Sequence, residues 1–82
     1  MKGRLNIVSK EYTGAKTITA HDNRGYLFII CTSGAISVAV GSGGTGGIPL
    51  ASGAFWEPYI APIGKLTITG TGTYTVVTNR NI

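Results

Sequence analysis

Carboxylates are nearly missing from this chain: Glu11, Asp22 and Glu57 stand against seven lysines and arginines and one histidine. So few scattered acids, with a single His, make a poor ligand set for zinc or calcium, and no metal or cofactor is expected. Glycoside hydrolysis needs two converging carboxylates, and nothing in the sequence brings Asp22 and Glu57 together. Cys31 is the only cysteine, which rules out a disulfide within the chain. It ends the most apolar segment, where burial raises a thiol pKa and makes a poor nucleophile. His21 adjoins Asp22, but neighbours along a strand point to opposite faces. The residues read as those of a non-enzyme.

Long apolar runs are also lacking. The longest, Tyr26 to Cys31, falls far short of the roughly 20 residues a membrane helix needs, so no membrane partner is expected. The N-terminus lacks the apolar stretch of a secretory signal, which makes synthesis in a cytoplasm the simple expectation. Charged residues make up 12% of the chain, about half the usual share. A chain of 82 residues is one domain, and it buries only roughly 60% of its unfolded surface. With disulfides and metals set aside, assembly with itself or a larger partner becomes the natural source of further burial.

Helix signals are absent: 13 Gly, 3 Pro and abundant Thr, Ile and Val work against them. What is present is period two. Ile36, Val38 and Val40 alternate with Ala35, Ser37 and Ala39; Leu66 and Ile68 alternate with threonines; Tyr74 and Val76 share a face. Leu5 to Ser9 and Lys16 to Ala20, with Ile18 inward, are further expected strands. Tyr26 to Cys31 is apolar on both faces, as for a central strand or one covered by a neighbour. Gly-rich turns punctuate these runs, predicting an all-β sandwich or barrel of six to eight short strands. Residues 1–15 are expected as a basic arm or edge strand, and 16–82 as the sandwich.

Three segments invite a functional reading. Gly41 to Gly46 fits G-x-G-x-x-G, but the dinucleotide fingerprint needs a following helix, whereas an extended Ile48-Pro49-Leu50 follows; a hairpin loop is the reading. Lys2, Arg4, Lys10 and Lys16 crowd the first sixteen residues, either as a solvated edge or as a grip on an acidic surface. Four charges are few for a polyanion tail, so direct nucleic-acid binding is not expected. Phe55-Trp56-Glu57-Pro58-Tyr59 is the aromatic cluster. Pro58 marks an edge or a crossing between sheets, and the rings suit core, interface or, less well, a sugar site.

The order of motifs adds a resemblance. A short Thr/Ile strand leads to an apolar strand, a Ser-Gly-Ala turn, a Val-rich strand and a Gly/Ser/Thr loop. Ile48-Pro49-Leu50-Ala51-Ser52-Gly53-Ala54-Phe55-Trp56-Glu57 follows, and then Gly70-Thr71-Gly72-Thr73. Over residues 16–78 this resembles the small accessory proteins that decorate or cement the heads of tailed bacteriophages. The resemblance implies a β-sandwich or jelly-roll-like domain on the capsid surface of the virion, forming trimers or other small oligomers. It would bridge subunits of the major capsid protein and stabilise the shell. Lys2, Arg4, Lys10 and Lys16 would face capsid carboxylates, with Phe55, Trp56 and Tyr59 as further contacts. A tail or fibre domain binding a host receptor or glycan through Trp56 and Tyr59, or a small carbohydrate-binding module, remains the alternative.

Overall fold

The computed structural model describes residues 7–22, 24–41, 43 and 46–79. Among them the chain is all-β, with eight strands: β1 Val8–Thr13, β2 Lys16–Ile18, β3 Leu27–Ser33, β4 Ala35–Val40, β5 Gly47–Ala51, β6 Phe55–Trp56, β7 Leu66–Gly70 and β8 Thr73–Thr78. They form two antiparallel four-stranded sheets, ordered β1-β8-β3-β6 and β2-β7-β4-β5. The pairings nest: β1 with β8, β2 with β7, β3 with β6 and β4 with β5. Rolling that nested hairpin brings β8 onto β3 and β7 onto β4, which is the wrapping of a jelly roll.

Period two explains the packing. Leu27, Ile29 and Cys31 on β3, with Tyr74 and Val76 on β8, face Ile36, Val38, Leu50, Leu66, Ile68 and Ile18 of the other sheet in one buried core. The inner-face alternation of β7 and β8, and inward Ile18, are as the sequence pattern expects; on β4 Ile36 and Val38 are buried, but Val40 at the strand's end is exposed. Among the described residues the first strand is Val8–Thr13; of the expected Leu5 to Ser9, positions 5 and 6 lie outside the described residues, and Val8 and Ser9 open the strand. Val8, Lys10 and Tyr12 share the side opposite Thr78, Val76 and Tyr74; Val8 and Tyr12 are half-buried there, while Lys10 is exposed. Lys10 breaks the apolar alternation there, which hides the strand from a pattern search. Thus residues 8–13, inside the span read as arm or edge strand, are an edge strand of the sandwich.

The two ends differ. At one, the chain passes between the sheets in tight turns at 14–15, 34, 52–54 and 71–72. The Gly70-Thr71-Gly72 motif belongs to this end, and its glycines answer to packing. A Cβ on Gly72 would meet the Ser33 carbonyl oxygen at 2.6 Å, and one on Gly70 the Ala35 oxygen at 2.6 Å. Gly70 also has φ +112°, a region that L side chains rarely adopt. At the other end lie the longer connections 19–26, 41–46 and 57–65.

Tyr74 is buried and its hydroxyl donates to the Gly14 carbonyl at 2.9 Å. Burial, with a smaller electrostatic contribution from Tyr12, pushes its pKa up. A free tyrosine ionises near pH ~10, so above that pH the unfolded chain releases a proton that the folded chain retains. The stabilisation is full below pH ~10 and is lost as pH rises through the raised folded value. Thermal melts across pH 8 to 12 are expected to show a Tm falling on the alkaline side. Tyr74→Phe should flatten that fall while lowering stability at neutral pH by about 1–2 kcal/mol, the loss expected for a hydrogen bond that leaves a carbonyl unsatisfied.

Candidate docking surface

Edges come first, because an open strand edge is the commonest route to pairing. β2 spans Lys16–Ile18 and β6 only Phe55–Trp56, too short to template another strand. β5 carries Pro49, which has no N–H to offer. β1 is longer, but it carries the exposed Lys10, a charge that discourages pairing. Lys16 sits with its Nζ 4.5 Å from the Tyr12 ring centroid, a cation–π contact that ties β2 to β1. Contacts with other molecules are therefore left to the faces and the loops.

Both outer faces are poor in charge. On the β1-β8-β3-β6 sheet, Phe28 stacks against Phe55 at 5.5 Å between centroids. Phe28 lies opposite Val77, and Ile30 opposite both Thr75 and Phe55. Phe55 remains 59% exposed. The other sheet presents Thr17, Ser37, Ala39, Pro49, Thr67 and Thr69. Trp56 takes the inward position on β6, paired with Ile29, and packs partly buried against the core. Its ring therefore serves the sandwich, while Phe55 beside it faces out.

The long-loop end is built around Arg24. This residue is buried, yet its three side-chain contacts are all main-chain carbonyls: Nη1 donates to Pro62 at 2.7 Å and Gly64 at 3.0 Å, and Nη2 to Thr19 at 2.7 Å. Desolvation lowers its pKa, but arginine starts so high that it stays cationic. The His21 N–H adds a bond to the Ile63 carbonyl at 2.8 Å, and the Gly41 N–H one to Lys65 at 2.7 Å. Nearby, the Asn79 Oδ1 accepts from the Gly25 N–H at 2.9 Å, and the Thr78 hydroxyl donates to the Tyr26 carbonyl at 2.9 Å.

The consequence is a loop whose backbone is fastened inward while its side chains stand out. Tyr59 is fully exposed, Ile60 78% and Ile63 50% exposed. Exposed apolar side chains of this kind, next to a backbone held in place at 62–65, are candidates for interface anchors. Between this loop and β3 runs a cleft of about 340 Å³, lined by Tyr26, Glu57, Pro58 and Tyr59 with the Gly25 backbone. In it the Tyr26 hydroxyl donates to Glu57 Oε2 at 2.6 Å. That hydrogen bond, then desolvation and the Glu57 charge, raise the Tyr26 pKa.

Of the residues singled out in the sequence, Phe55 and Tyr59 lie exposed around the β6 edge and the loop that follows it. Lys10 and Lys16 sit on β1 and β2; Lys2 and Arg4 fall outside the described residues. Sequence reasoning missed Arg24, Ile60, Ile63 and the Tyr26–Glu57 pair. Pro58 and Pro62 around Tyr59-Ile60 were the available signal, because proline-bounded apolar residues outside a strand have no sheet face to bury them. Among the described residues no group of three or more His, Cys, Asp or Glu is placed to hold a metal.

Arg24→Ala is expected to destabilise the fold by about 1–3 kcal/mol, since it removes three part-buried, charge-assisted hydrogen bonds that join two loops. Arg24→Lys should recover only part of that, because an ammonium lacks the planar fork. Urea denaturation with hydrogen exchange at 57–65 measures both, and full rescue by lysine would show that charge alone suffices.

A scan against protein-family models finds no match to this chain, and searches of curated proteins and of solved structures find none either.

Proposed function

We propose that this chain is a non-catalytic structural protein of a bacteriophage virion, of the head-decoration type, which docks on the outside of the capsid and bridges major capsid protein subunits. The observation that carries the reading is the exposed apolar loop, in which Tyr59, Ile60 and Ile63 project on and just before a stretch that Arg24 holds at Pro62 and Gly64. Two charge-poor sheet faces support it, as does the motif order shared with small head accessory proteins. Jelly rolls recur in viral capsid proteins and lectins alike, so the fold admits this function without selecting it. The mechanism is burial: each standard-size contact removes roughly 1,600 Å² from water, repeated over every copy on the shell. The charge-poor faces leave room for self-association around the docking point, with a small ring such as a trimer as the expected form.

The test is reconstitution on particles stripped of this chain. Wild-type protein should saturate the head lattice with symmetry-related density in electron microscopy. Tyr59→Ser with Ile60→Ser should weaken that binding at least about tenfold, the scale of an interface hot spot, with Tm unchanged because both side chains are already exposed. Density confined to the tail, or undiminished binding by the double variant, would overturn the assignment.

A further inference from the structure

The cleft beside the fastened loop has a chemical character of its own. The Tyr26 hydroxyl donates its one hydrogen to Glu57 Oε2 at 2.6 Å, so it faces a ligand only as an acceptor. Glu57 is exposed and ionised carboxylates only accept. The Gly25 N–H is occupied by Asn79 Oδ1. Tyr59 adds a fully exposed ring, and Pro58 an apolar wall. A sugar hydroxyl both donates and accepts, and among the described side chains that line the cleft only the Tyr59 hydroxyl could donate to it. An anion would meet a carboxylate. The group that matches acceptors flanked by aromatic faces is an all-donor cation.

We infer that the Tyr26–Glu57–Tyr59 cleft is a binding site for a guanidinium group, the side chain of an arginine on the protein that this chain docks against. Arginine fits better than lysine: its planar fork bonds a carboxylate while its face stacks on a tyrosine ring. The hydrogen bond from Tyr26 fixes the carboxylate before the ligand arrives, which reduces the ordering needed on binding. The cleft adjoins the Tyr59-Ile60 anchor, so an arginine seated in it would set the orientation of a contact whose affinity comes from apolar burial. The identity of the partner rests on the docking function proposed above; the cation site itself does not.

The isolated chain suffices for the first measurement. N-acetyl-arginine methylamide, titrated into labelled protein, should shift the amide resonances of Gly25, Tyr26, Glu57 and Tyr59 saturably, at roughly millimolar concentrations. N-acetyl-citrulline methylamide, the neutral isostere, should leave them in place. Glu57→Gln keeps an oxygen for Tyr26 and should weaken arginine binding about threefold to tenfold, as should Tyr59→Ala. Equal shifts with citrulline or a methyl glucoside, or none with arginine, would overturn the cation site while leaving the docking test above untouched. On particles, Glu57→Gln should lower affinity with the chain's own oligomeric state unchanged. If sedimentation instead shows that Glu57→Gln dissolves a self-assembly, the arginine belongs to a second copy and the partner assignment fails.

Discussion

A buried guanidinium with three carbonyl acceptors and no apolar substitute holds the long-loop end of this molecule together. Arg24 reaches the β2–β3 connection at Thr19 and the β6–β7 connection at Pro62 and Gly64, and both of those connections cross from one sheet to the other. The opposite end needs no such device. There the crossings are tight turns, and the backbone itself makes contact: the Gly72 N–H donates to the Ala35 carbonyl at 3.2 Å and the Gly14 N–H to Gly72 at 3.1 Å. Longer crossings leave main-chain carbonyls without strand partners, and buried carbonyls must be satisfied. One arginine, itself buried, satisfies three part-buried carbonyls.

That division of labour shapes what the surface can do. A loop fastened through its carbonyls at 62–65 is free to turn its side chains outward there, and Tyr59, Ile60 and Ile63 are exposed on and just before that stretch. The edges are short, proline-bearing or charged, features that discourage extension of the sheets by strand addition. The faces, by contrast, carry Phe28, Ile30 and Phe55 on one side and small hydroxyl residues on the other. Under the docking function proposed above, blocked edges beside charge-poor faces favour contact between surfaces over ladder pairing.

Much of the sandwich was legible because burial alternates with the pleat. Ile36, Val38, Leu66, Ile68, Tyr74 and Val76 are inward as their spacing requires. The wrapping was not legible, since β1 pairs with β8 and β2 with β7, partners far apart in sequence that no local pattern specifies. Within Phe55-Trp56 the sequence left both rings open, because Pro58 interrupts the alternation; register against Ile29 and Ile30 decides it. Arg24 stood in a run of turn residues, where a charge reads as solvated. Its burial depends on loops from two distant segments converging, and that is a property of the topology. The same holds for Tyr26 and Glu57, joined across 31 positions.

Size gives the surface its meaning. A domain of 82 residues has a net stability of roughly 4–12 kcal/mol, and its core is a single layer of side chains between two sheets. Leaving Tyr59, Ile60, Ile63 and Phe55 in water forgoes burial worth about 1.5–3 kcal/mol for each side chain that a larger core would have enclosed. A free monomer gains nothing from that arrangement, and exposed apolar groups invite aggregation. The arrangement is favourable when a second surface covers them, because the same burial then contributes to binding and, through linkage, to the stability of the docked fold. Under the docking function proposed above, the thin core and the exposed loop side chains fit together, because a bound surface would supply burial that a chain of this length does not enclose.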